Sequence, residues 1–116
     1  DVFKKSDLSD TDFAEVRRYL SDCPNVVFYE GIFSKTFPTI PNRLFSFVHV
    51  DCDLHLSVLE CCEFFYPKMA PGGVILFDDY GFLCAPGAKK AVDAFFSDKP
   101  EYPVALSTGQ CIVVKS

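Results

Sequence analysis

The stretch from Phe45 to Tyr80 constrains this chain more than any other, because it reads as strand, helix, strand with acidic residues after each strand. Phe45-Ser46-Phe47-Val48-His49-Val50 is an apolar run that ends in Asp51 and Asp53, and Gly73-Val74-Ile75-Leu76-Phe77 ends in Asp78 and Asp79. Short apolar runs closed by turn chemistry read as buried strands. Between them, Leu54, Val58, Cys62 and Phe65 form a helical stripe, with Ser57, Glu60 and Glu63 on the opposite side. Strand, crossover helix and strand make a βαβ unit, so the two strands are expected to be parallel. Both acidic pairs then emerge at the carboxyl ends of parallel strands, where open α/β sheets form their ligand crevice. Carboxylates crowded at one rim repel one another unless some are protonated or a cation sits among them.

Length and charge narrow the classes. A chain of 116 residues fits one small domain, and at 49% apolar residues, with 13 Phe, it has ample material for a core. A formal charge of −5 without a Lys/Arg block argues against nucleic acid and against an anionic membrane surface as partners. No apolar stretch approaches the roughly 20 residues that cross a bilayer. No signal peptide is visible, and the start at Asp1 without Met suggests that a segment upstream was cut away. The six cysteines (Cys23, Cys52, Cys61, Cys62, Cys84, Cys111) show no C-x-x-C spacing, which disfavours zinc and thioredoxin-like centres. Free, largely buried thiols in a reducing, cytoplasmic compartment are the expectation.

Taken in order, Ser9-Asp10-Thr11-Asp12 offers N-cap residues for a helix with Phe13, Val16 and Leu20 on one face, stopped at Cys23-Pro24. Val26-Val27-Phe28-Tyr29 reads as a strand ending at Glu30-Gly31, and Ile32 to Arg43 as a loop with about one helical turn. Met69-Ala70-Pro71-Gly72-Gly73 reads as a turn. Pro86 opens a helix with Ala88, Ala91, Val92 and Phe95 inward, and Val104–Leu106 and Cys111–Val114 form an antiparallel hairpin. The order is therefore α-β-β-α-β-α-β-β, without internal repeats.

The acidic residues carry the chemistry. Asp51 and Asp53 lie two apart and point to one side if the backbone stays extended; Asp78 and Asp79 converge only through a turn. An all-oxygen set without Cys or His at ligand spacing suits Mg²⁺, Ca²⁺ or Mn²⁺. Helix capping accounts for Asp53 but not for two acidic pairs at neighbouring rims. His49 reads as a packed core histidine and His55 as a solvated or capping residue. Tyr80 lines a pocket or covers the sheet edge, Lys89 and Lys90 form a solvated face, and Gly31 serves a turn. No Gly-rich phosphate loop is present, since Gly72-Gly73 precedes a strand. A non-catalytic cation-binding or regulatory α/β domain is the rival reading. In a receiver-like phosphoacceptor domain a lysine follows a later parallel strand, whereas Lys115 ends an antiparallel pair.

His49-Val50-Asp51-Cys52-Asp53-Leu54, Phe64-Phe65-Tyr66-Pro67-Lys68-Met69-Ala70-Pro71-Gly72-Gly73-Val74-Ile75 and Asp78-Asp79-Tyr80-Gly81 together resemble the macrocin O-methyltransferase family. Cys84-Ala85-Pro86-Gly87-Ala88-Lys89-Lys90-Ala91-Val92-Asp93 and Thr108-Gly109-Gln110 extend the resemblance. It implies an α/β, Rossmann-like three-layer sandwich with parallel central strands and a C-terminal antiparallel hairpin. It is incomplete here, for the first two strands, with their glycine-rich loop and ribose-binding acid, are missing. The resemblance implies S-adenosylmethionine as cofactor and a Mg²⁺-assisted O-methylation of a sugar or other small-molecule hydroxyl. Asp51, Asp78 and Asp79 would ligate the metal, Asp53 would act as general base, and Ile32 and Phe33 would touch the adenine. The family pattern carries Tyr where His55 stands. In the complete fold the missing strands lie between Val26–Tyr29 and Phe45–Val50. That gap calls for direct pairing, a second copy of the chain (a homodimer), or further segments, because an unpaired apolar edge invites association.

Overall fold

The computed structural model describes residues 13–52, 54–81 and 86–116. Asp53, the capping run Ser9–Asp12 and Cys84 lie outside them. Strands β1 (Phe45–Val50) and β2 (Met69–Phe77) are parallel, as the crossover helix requires. Their register pairs Val48 with Ile75, His49 with Leu76 and Val50 with Phe77. Strand β4 (Cys111–Val114) runs antiparallel to β2, and the short β3 (Val104–Ala105) antiparallel to β4, giving the sheet order β1-β2-β4-β3. Among the described residues β1 is an edge strand.

The α-helices among the described residues are α1 (Phe13–Tyr19), α2 (Phe33–Thr36), α3 (His55–Phe65) and α4 (Pro86–Phe95). Alternation along the strands decides which face α3 and α4 cover. Val48, Val50, Ile75, Phe77, Cys111 and Val113 are buried, and with Val58, Cys61 and Cys62 of α3 and Ala88, Ala91 and Val92 of α4 they make the core. On the opposite face, Phe47 and Val114 are exposed and Val74, Leu76 and Ile112 are half-buried. Helices α3 and α4 therefore lie side by side on the same face of the sheet.

Two local expectations need correction. Val26–Tyr29 is irregular and not a strand. A strand requires a ladder partner, and the described residues provide none there. Val27 stays 72% exposed, and Phe28 meets Phe13 of α1 edge-on at 5.7 Å. Met69–Gly73 is not a free turn but the first half of β2. The Lys115 carbonyl accepts from Gly72 N–H (2.7 Å), and Lys115 N–H donates to the Gly73 carbonyl (2.8 Å). The glycine signal survives as a register shift between Phe45 and Phe47 and as φ +81° at Gly72.

An aromatic cluster pins the segment before β1. Phe33 stacks on Phe37 at 4.8 Å and Phe37 on Phe64 at 4.3 Å, with Phe65 edge-on to Phe37 and Phe45. These rings join α2 to the end of α3 and fix the position of Ile32 and Phe33. No helix in the described residues is long and apolar enough to cross a membrane.

Candidate active site

The register of the sheet assembles the acidic rim. Val50 faces Phe77 in the parallel pair, so the next residues, Asp51 and Asp78, emerge side by side. Asp79 follows in the turn that leaves β2. One carboxylate oxygen from each of Asp51, Asp78 and Asp79 lies within 4.8 Å of the others. The structure therefore brings together the three proposed metal ligands, while Asp53, the proposed base, falls outside the described residues.

Electrostatics at the rim follow from this crowding. Desolvation, then the charge of Asp78, a hydrogen bond with it and the charge of Asp79 raise the Asp51 carboxyl above its ordinary range, against a lowering by His49. Asp51 is exposed as a residue, so repulsion by like charges is the part that carries weight. Asp78 moves the other way. A hydrogen bond from Gln110 lowers it most, against desolvation, with further lowering from Asp51 and His49. Three hard oxygen donors in mutual repulsion, and no sulfur among them, fit an oxygen-seeking divalent cation better than zinc.

His49 and Gln110 are the residues that sequence reasoning missed. His49 is no core residue: its ring is exposed, with Nε2 3.5 Å from Asp78 Oδ1. The cause is strand alternation, since His49 lies two before Asp51 and shares its side of β1. Gln110 donates from Nε2 to the same Asp78 oxygen at 2.8 Å. The signal for it was the hairpin itself, which sets the residue before β4 beside the residue after β2.

A cavity of about 340 Å³ adjoins this rim, lined by Gly31, Ile32, Phe33, Ser34, Cys52, Ser57 and Glu60. Both sequence-picked cofactor contacts, Ile32 and Phe33, stand on its wall. Gly31 takes φ +135°, which L side chains rarely adopt, so the turn needs glycine there. Cys52, next to Asp51, joins wall and rim. Cys61 and Cys62 are poor nucleophiles: a hydrogen bond with Cys52 and burial push the Cys61 thiol up, and burial pushes Cys62 up to about 12.

Tyr80 does not reach this cavity. It is buried and donates its hydroxyl to Asp93, which also pairs with Lys89. With Lys89, Asp93, Phe96, Lys99, Glu101 and Tyr102 it lines a separate cavity of about 480 Å³. His55 opens α3 half-buried, with Nδ1 buried and without a hydrogen-bond partner, so of the solvated or capping roles expected for it this nitrogen serves neither.

A mixed sheet with acidic residues at the carboxyl ends of its parallel strands is an open α/β arrangement of the Rossmann-like kind, whose ligands bind at that rim. The chain superposes on the O-methyltransferase NovP with a TM-score of 0.79 at 26% identity, over 91% of this chain and 46% of that one. A caffeoyl-CoA O-methyltransferase homologue from Staphylococcus aureus shares the fold at 13% identity, with a TM-score of 0.74 over 89% of this chain and 59% of that one. The macrocin-O-methyltransferase (TylF) family profile matches residues 9–103, and the chain belongs to that family. Demethyldecarbamoylnovobiocin O-methyltransferase of Streptomyces niveus is 37% identical over 70 residues, which are 60% of this chain and 26% of that protein. Mycinamicin III 3''-O-methyltransferase of Micromonospora griseorubida is 31% identical over the same shares of each chain. The match thus spans about a quarter of these curated relatives.

Proposed function

We propose that this chain carries the metal- and acceptor-binding part of an S-adenosylmethionine-dependent O-methyltransferase acting on a hydroxyl of a sugar or other small molecule. The observation that supports it most is the convergence of Asp51, Asp78 and Asp79 beside the Ile32–Phe33 cavity, in a chain of this family. Asp51, Asp78 and Asp79 would hold the cation, Mg²⁺ in this reading. When bound, a divalent cation supplies Lewis acidity and a fixed anchor for the acceptor. Ile32 and Phe33 would receive the flat adenine of the cofactor, with the Gly31 turn bringing backbone close to it.

Asp53 is the proposed general base. It would take the proton of the acceptor hydroxyl as that oxygen attacks the methyl carbon, so that a carbon–oxygen bond forms while the carbon–sulfur bond breaks. Alignment of acceptor and methyl group is the larger part of such catalysis, and rigid strand ends suit that task.

The test is methyl transfer by the full-length protein from labelled S-adenosylmethionine to a panel of glycosylated small molecules with free hydroxyls. Label should reach the acceptor, and EDTA should stop the transfer until Mg²⁺ is restored. Activity untouched by EDTA would rule out the metal. Cation binding without any binding of S-adenosylmethionine by calorimetry would favour the non-catalytic reading.

A further inference from the structure

We propose that Gln110 is a positioning residue that fixes the carboxylate of Asp78 for the cation, with Thr108 holding the Gln110 amide in the required orientation. The inference rests on the metal reading above and extends it to a residue outside the acidic set.

Three strand ends make the geometry. Phe77 faces Val50 on one side and Cys111 on the other. Asp51, Asp78 and Gln110 therefore stand in a row across β1, β2 and β4, each one residue beyond a paired position. Gln110 Nε2 donates to Asp78 Oδ1 at 2.8 Å, and Thr108 Oγ1 donates to Gln110 Oε1 at 3.0 Å. Chemistry fixes which way the amide faces. A carboxylate only accepts, so the NH₂ must turn to Asp78 and the amide oxygen is left for the Thr108 hydroxyl.

The turn that carries Gln110 is itself anchored. Gly81, just past the acidic pair, donates its N–H to the Gly109 carbonyl at 2.7 Å. A Cβ on Gly81 would lie 3.2 Å from Gly109 Cα, so the two backbones touch. Within the turn, Leu106 N–H donates to the Gln110 carbonyl at 2.8 Å and Gly109 N–H to the Leu106 carbonyl at 3.1 Å. The β3–β4 turn is thereby tied to the segment Asp78–Gly81, and rotation of Asp78 away from the rim breaks a bond that this turn holds in place.

The type of donor matters. A ligand carboxylate needs its orientation fixed while its charge stays available to the cation. A Lys or Arg in this place would neutralise Asp78 and repel the cation. A neutral amide orients without competing.

The experiment is a Mn²⁺ titration of the full-length protein followed by electron paramagnetic resonance of free Mn²⁺, with melting of the Mn²⁺-free protein in parallel. Gln110→Met keeps length and volume but cannot donate. It should weaken Mn²⁺ binding about 10–100-fold, the usual cost of losing an outer partner of a ligand, without changing the melting temperature. Thr108→Val should lose affinity in the same direction but less, and Thr108→Ser should restore it. Asp78→Asn serves as the reference for loss of a ligand. Wild-type affinity in Gln110→Met beside a loss in Asp78→Asn would overturn the positioning role and leave the metal reading standing. Equal binding by wild type and Asp78→Asn would overturn both. Affinity losses that only track losses of melting temperature, with Thr108→Ser and Thr108→Val alike, would make Gln110 merely structural and also overturn the proposal.

Discussion

Asp51 and Asp78 stand side by side because Val50 and Phe77, the residues before them, are register partners in the parallel pair. Distant stretches of sequence thus meet through the backbone hydrogen bonds of the β1–β2 pair. A one-residue slip of β1 would turn Asp51 to the other face of the sheet.

The aspartates should fail differently when substituted in the full-length enzyme. Asp78→Asn should weaken metal affinity, with activity partly regained as Mg²⁺ is raised, since a ligand charge has been removed. Asp53→Asn should keep metal and cofactor binding but lose turnover by about 10²–10⁴-fold, the usual worth of a positioned base. Steady-state kinetics across Mg²⁺ concentrations separate the two patterns.

Phe37 links stability to the Ile32–Phe33 cavity. Its ring stacks on Phe33 and Phe64, so Phe37→Ala frees the wall that carries Ile32 and Phe33. Stability should fall by roughly 2 kcal/mol, the sum of lost ring pairs at about 0.5–1.5 kcal/mol each. Calorimetry should show weaker S-adenosylmethionine binding with unchanged Mn²⁺ affinity.

Glu101 ties Ser116 to the end of α3 and gives the protein an acid-sensitive lock. Its carboxylate accepts from Tyr66 Oη at 2.7 Å, Ser116 N–H at 3.1 Å and Ser116 Oγ at 2.8 Å. Burial pulls the carboxyl up, but these hydrogen bonds outweigh it and bring it from 4.5 down to about 2. A depressed folded value means stability that is fully present above the unfolded value and lost as pH falls. Urea denaturation should therefore show stability declining from about pH 4.5 toward pH 2. Glu101→Gln should remove that part of the slope and lower stability at neutral pH by about 1–2 kcal/mol.

Gly73 and Gly72 should respond differently to alanine. At Gly73 a Cβ would lie 2.9 Å from the Ala70 carbonyl oxygen and 3.2 Å from that of Phe45. Both obstacles are backbone, so Gly73→Ala should cost about 1–3 kcal/mol. Gly72 has open space but φ +81°, so its cost is conformational, about 1–2 kcal/mol. Chemical denaturation of the two variants compares the effects.

Much of this was legible because it depends on local periodicity. The Phe45–Phe77 unit, the inward face of α4, the final hairpin and most of the inward face of α3 follow from apolar spacing and turn residues; Leu54, expected on that face, instead precedes the helix and is exposed, and Cys61 is buried there. The same reading foresaw the meeting of Asp51 with Asp78. Val26–Tyr29 misled because strand propensity says nothing about whether a partner is present. Met69–Gly73 misled because its Pro and Gly residues punctuate a strand here and do not end one. Gln110 escaped because its role depends on the register between β2 and β4, which no single segment encodes, whereas for His49 the apolar neighbours masked the alternation that sets it on the side of Asp51.

The most direct test of the central claim is anomalous scattering from crystals of the full-length protein soaked in Mn²⁺. One peak is expected at the sheet rim, at roughly 2.1–2.4 Å from an oxygen of each of Asp51, Asp78 and Asp79, as hard-cation coordination requires. A rim without a peak at saturating Mn²⁺, or a peak held by other residues, would contradict it.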